Sequence, residues 1–122
     1  MADKTFTIGE KAKELMTSIL DITTSRSHYP IKFKRVSDRL QECALNIYCL
    51  SVDDNGIVAN TQGRKDKKYD LQTEIVTNCD KLLSFAEYSL NTHMISGSIC
   101  EKWTGLAKDI KFMTLSWRSK NM

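Results

Sequence analysis

The chain has 122 residues, 41% of them hydrophobic and 27% charged, and a formal net charge of +3. That length suits one domain, because two would each be too small to bury a good core. No apolar run approaches the roughly 18–20 residues needed to span a bilayer. The opening MADKTFTIGEKAKEL carries acids and lacks the apolar stretch of a secretion signal, so a cytoplasmic protein is expected.

A single proline, Pro30, and only five glycines favour long helices over a sheet. The first helix is expected from about Ile8 to Thr24, where Ala12, Leu15, Ile19 and Ile22 recur at intervals of three and four. Met16 and Leu20 widen that stripe. Thr7 followed by Glu10 has the form of a capping box. Pro30 ends the pattern and pushes Tyr29 toward an extended backbone.

The second helix is expected from about Phe33 to Val52, with Val36, Leu40, Cys43, Ile47 and Leu50 spaced 4, 3, 4 and 3. That heptad-like repeat suits near-antiparallel packing at crossing angles of roughly 20°. Asp53-Asp54-Asn55-Gly56 supplies a stop, with Gly56 or Asn55 available for a left-handed cap. Residues 55–66 read as the longest loop, with Ile57-Val58 its only apolar point.

The third helix is expected from Asp66 to Asn91, on a stripe of Leu71, Ile75, Cys79, Leu82, Ala86 and Ser89. A short turn follows at residues 93–98, and either Ser96 or Ser98 (the latter with Glu101) can cap the next helix. In the fourth helix, to about Arg118, Ile99, Trp103, Leu106, Ile110, Met113 and Trp117 repeat at 4, 3, 4, 3 and 4. The expected fold is all-α, an antiparallel up-down-up-down four-helix bundle in one domain.

No G-x-S-x-G, Walker loop, H-E-x-x-H or dinucleotide fingerprint occurs. Neither His28 nor His93 has a glutamate three residues before it, so the E-x-x-H of a di-iron bundle is missing. Cys43, Cys49, Cys79 and Cys100 form no C-x-x-C pair and read as small buried hydrophobes rather than zinc ligands. The stripes read as apolar throughout, without an ionisable residue. No enzyme, metal or cofactor is expected.

Charge is more informative in its distribution than in its sum. Residues 1–63 hold 8 Lys/Arg against 8 Asp/Glu, and residues 64–122 hold 10 against 7. Arg26, Lys32, Lys34, Arg35 and Arg39 crowd the first connection with only Asp38 opposing. In the expected topology His28 and His93 join them at one end. Arg64, Lys65, Lys67 and Lys68 start the third helix at the other end, near Arg118 and Lys120, and Lys108, Lys111 and Arg118 share a polar face of the fourth. Such clusters suit a polyanion, although most surface charge only keeps a protein soluble. Cations at a helix N-terminus also oppose the macrodipole, by roughly 0.3–1 kcal/mol each. Trp103 and Trp117 lie on the apolar stripe. Tyr29 and Phe33, flanking Pro30, either staple the helix start or stack on bases or a partner.

Several segments resemble a known family. They are Tyr29-Pro30-Ile31-Lys32-Phe33-Lys34-Arg35-Val36-Ser37-Asp38-Arg39, the run Ala44-Leu45-Asn46-Ile47-Tyr48, the turn Met94-Ile95-Ser96, and Asp109-Ile110-Lys111-Phe112-Met113-Thr114-Leu115-Ser116-Trp117-Arg118. In order and spacing these are similar to bacterial four-helix-bundle proteins that join the accessory variability determinant (Avd) of diversity-generating retroelements with proteins encoded in intervening sequences of ribosomal RNA genes. The resemblance covers about residues 10–120. It implies a non-enzymatic bundle, a homopentamer in the Avd case, that binds a reverse transcriptase and its RNA through basic surfaces. It carries over to Lys32, Lys34, Arg35 and Arg39 at the opening of the second helix and to Arg118 near the tail. The chain departs from the pattern in its mild charge and in Cys49, Ser51 and Asp53-Asp54. The rival expectation is an oligomeric adaptor that binds protein alone, with Ile57-Val58 and Tyr29/Phe33 as contacts.

Overall fold

A computed structural model describes residues 4–25 and 27–120, with side chains from 7 to 118 except at 26. Arg26 and the side chain of Lys120, both counted among the expected cations, therefore lie outside the described residues. Among the described residues the chain is all-helical, without strands: α1 spans Lys4–Thr23, α2 Lys34–Asn55, α3 Gln62–Asn91 and α4 Gly97–Lys120, with a 3-10 turn at Ile31–Phe33 before α2. The helices form a bundle in which α1 and α3 each pack against both α2 and α4. None of these helices is long and apolar enough to cross a membrane.

The expected stripes supply the core. Ala12, Leu15, Ile19, Leu40, Cys43, Ile47, Ile75, Cys79, Leu82, Ala86, Trp103 and Ile110 are all buried. Ile22, Val36, Leu50, Ile99, Leu106 and Met113 pack half-buried around them. Trp103 is fully buried and still finds a partner, its indole N–H donating to Ser18 Oγ at 2.9 Å. Burial pushes the Cys79 thiol up to about 12, and that of Cys43 up as well. Cys49 is the exception to the expectation for the cysteines: it is exposed.

The helix ends depart from expectation by a few residues, for local reasons. Helix α1 begins at Lys4, so Thr7 lies inside the first turns and is not the cap. Helix α2 runs three residues past Val52 and ends on Gly56 at φ −78°, a right-handed cap in place of the expected left-handed one. The Gly56 N–H reaches both the Val52 and Asp53 carbonyls, at 3.1 and 3.2 Å. The loop expected over 55–66 shrinks to 56–61, because Thr61 caps α3 by accepting the Arg64 N–H at 3.2 Å. Ser96, rather than Ser98, caps α4, accepting the Ile99 N–H at 3.3 Å.

Candidate nucleic-acid interface

The two ends of the bundle place the cations. At one end the α1–α2 connection meets the α3–α4 turn: His28 Nδ1 lies 3.1 Å from the Met94 carbonyl. Beside it the Tyr29 hydroxyl donates to Ser89 Oγ at 2.7 Å. Tyr29 is only 3% exposed, so it is a core residue and is withdrawn as a stacking platform or partner contact. Burial also pushes its hydroxyl above the ordinary tyrosine range. Phe33 is half-buried beneath Lys32, whose Nζ lies 5.1 Å from the ring centroid.

Around this end the second-helix cations divide. Lys34 donates to Asp38 at 2.8 Å and Arg39 to Glu42 at 3.2 Å, one turn along α2 in each case. Exposed pairs of this kind are worth little in stability, yet they cancel the field a polyanion would feel. Lys32 and Arg35 are exposed and make no ion pair among the described residues.

At the other end the expected cluster splits. Lys68 is buried, and this corrects its assignment to a docking surface. Its ammonium donates to the Asp54 carbonyl at 2.6 Å and pairs with Asp54 Oδ1 at 3.2 Å, while Gln72 Nε2 donates to the same carboxylate at 3.2 Å. The interior is thus not free of ionisable groups, contrary to the apolar reading of the stripes. A buried lysine needs this because its desolvation is costly unless it is paired and hydrogen-bonded. The earlier start of α3 also narrows the conflict with the macrodipole to Arg64 and Lys65, since the effect fades beyond the first turn. Arg64 is satisfied locally, Nη1 donating to Asn60 Oδ1 at 3.1 Å. Lys65 and Lys67 project without an ion pair among the described residues.

The α3/α4 face carries the combination most suited to an anion with aromatic bases. The Arg118 guanidinium lies 4.7 Å from the centroid of the Tyr69 ring and donates to Thr73 Oγ1 at 3.0 Å. Lys65 lies one turn before Tyr69 on the same helix. Further along α4, Lys111 is held by Asp80 at 2.7 Å and lies 5.9 Å from the Phe112 ring, and Lys108 is exposed one turn earlier. Tyr69 and Phe112 stay 43% and 60% exposed. Both rings escaped the sequence reading. The signal for them was phase, since each falls off its helix's apolar stripe and beside a cation. On α1, by contrast, Glu10, Glu14 and Asp21 form an exposed acidic stripe.

Searches against family models, curated proteins and solved structures found no match to this chain.

Proposed function

We propose that the chain is a non-enzymatic accessory protein that binds RNA, and with it a reverse transcriptase, through its basic α3/α4 face. The observation that carries the reading is Arg118 against the exposed Tyr69 ring with Lys65 one turn away, because cation and ring together serve a backbone phosphate and a stacked base. The resemblance to Avd-like bundles supplies the retroelement setting and the homo-oligomer, and a cytoplasmic location belongs to the same reading.

An antiparallel up-down-up-down course of the helices belongs to the same reading. The cross-helix contacts support it: Lys11 meets Asp109 while Ser18 meets Trp103, Lys111 meets Asp80 while Arg118 meets Thr73, and Asn46 meets Asn78 while Asp54 meets Lys68. In each pair of helices one number rises as the other falls.

The test is RNA binding by fluorescence anisotropy across a salt series. Affinity is expected to fall steeply with salt, because phosphate neutralisation releases counterions. Lys65→Glu with Arg118→Glu is expected to lower the log–log slope by about one for each phosphate that the variant no longer neutralises. Flat affinity from low to physiological salt, or no binding, sinks the proposal. The protein-only adaptor keeps one observation in its favour, the exposed Val58 on the α2–α3 loop. Charge reversal at Lys65 and Arg118 barely alters assembly under that reading and abolishes RNA binding under ours.

A further inference from the structure

Two exposed rings of the α3/α4 face stand in the same setting. Tyr69 has Lys65 one turn before it on α3, and the Arg118 guanidinium 4.7 Å from its centroid. Phe112 has Lys108 one turn before it on α4, and the Lys111 ammonium 5.9 Å from its centroid. Asp80 of α3 holds the same ammonium at 2.7 Å, which keeps the Phe112 ring close to the α3 side of α4. Tyr88 is also exposed, but it has no cation over its ring among the described residues.

The surplus of positive charge here is small. Lys65, Lys108, Lys111 and Arg118 are opposed by Asp66, Asp70 and Asp80. Asp80 is taken by Lys111, and Asp66 accepts from Gln62 Nε2 at 2.9 Å. Toward the α3–α4 turn the sign reverses. Burial, and then the Glu87 carboxylate, push the Cys100 thiol of α4 upward, which places Glu87 on this side, and Glu101 is exposed on α4. Lys102 turns away to the α1 side, where it lines a groove with Glu10, Glu14 and Asp21. The basic stretch therefore runs from Arg118 to Lys108, about 15 Å along α4.

From this repeated pairing of ring and cations we propose that the α3/α4 face takes a short stretch of single-stranded RNA, an inference that rests on the RNA-binding reading of the same face. One base stacks on Tyr69 and another on Phe112, while Lys65 and Lys108 meet phosphates. Spacing argues against a duplex. Arg118, at the Tyr69 ring, and Phe112 stand roughly 9 Å apart along α4. Stacked bases follow one another at about 3.4 Å, so the two rings engage bases that are splayed apart, as an unpaired strand allows. Charge points the same way. A duplex hides its base faces and is held through its phosphates, which four cations against three carboxylates serve poorly. Stacking adds the affinity that so small a charge surplus does not.

The test measures binding of the full chain to three labelled probes by anisotropy: a single RNA strand, the duplex of the same sequence, and an abasic strand of equal length. The single strand is expected to bind about tenfold or more tightly than either of the others. Tyr69→Leu and Phe112→Leu are each expected to weaken single-strand binding about fivefold or more. Their salt slopes are expected to stay unchanged, because a ring neutralises no phosphate. Both positions are exposed, and helical circular dichroism confirms that the variants fold. Tyr88→Leu is expected to leave binding unchanged. If no form of RNA binds, the RNA-binding reading fails and the single-strand proposal with it. If the duplex or the abasic strand binds as tightly as the single strand, the single-strand proposal alone is overturned. Undiminished binding by folded Phe112→Leu, or an equal loss in Tyr88→Leu, overturns it too.

Discussion

Where the α1–α2 connection meets the α3–α4 turn, the closing contacts are neutral: Tyr29 to Ser89, and His28 to the Met94 carbonyl. Where α2 gives way to α3, they are charged, with Lys68 and Gln72 converging on Asp54. The difference follows from what each end must satisfy. Asp54 sits in the last turn of α2, where the macrodipole disfavours an anion and where carbonyls lack partners within the helix. Lys68 answers both, neutralising the carboxylate and capping the Asp54 carbonyl in one reach. At the neutral end α1 has already stopped at Thr23, and a tyrosine with one polar tip is enough to seal the joint.

Breaking the charged end has the largest expected effect. Asp54→Ala leaves the Lys68 ammonium buried without its counter-ion and is expected to cost about 3–5 kcal/mol in urea denaturation. Replacing both partners, as in Asp54→Leu with Lys68→Met, is expected to recover most of that loss, because two buried charges leave together. A double variant as unstable as the single one would mean that the pair orders the loop rather than merely neutralising itself.

The neutral end is expected to respond less and with a pH signature. Tyr29→Phe removes one neutral hydrogen bond, worth about 1 kcal/mol. Burial holds the Tyr29 hydroxyl above its ordinary value of 10.0 in the folded chain. The unfolded chain therefore ionises first, releasing a proton that the folded chain keeps. The tyrosine's contribution is complete below pH 10 and is lost as pH rises through the folded value. Tyr29→Phe is expected to flatten that part of the alkaline stability profile, and an unchanged profile would place the loss elsewhere. The smallest effect sharpens the comparison at the helix starts. Thr61→Ala opens α3 at the charged end and Ser96→Ala opens α4 at the neutral end, each for about 0.5–2 kcal/mol by thermal unfolding. If Thr61→Ala cost far more than Ser96→Ala, the cap would be coupled to the Lys68–Asp54 pair.

By itself the sequence determined the helices and the faces they bury. Apolar periodicity is a local property, and Leu15, Ile47, Leu82 and Ile110 each land in the core that their spacing predicts. The break at Pro30 and the scarcity of glycine are equally local. Tertiary structure decided the fate of individual polar groups. Lys68 shares a run with Lys65 and Lys67, and only the return of α3 alongside α2 brings it to Asp54, fourteen positions earlier. Tyr29 reads the same in sequence whether it faces solvent or Ser89, and the meeting of two distant connections chose Ser89. The exposed rings of Tyr69 and Phe112 gained their cations from a neighbouring helix and from a neighbour in the chain, respectively. The physical reason is range: hydrophobic phase repeats within one helix, whereas an ion pair or a hydrogen bond needs two groups placed within about 3 Å.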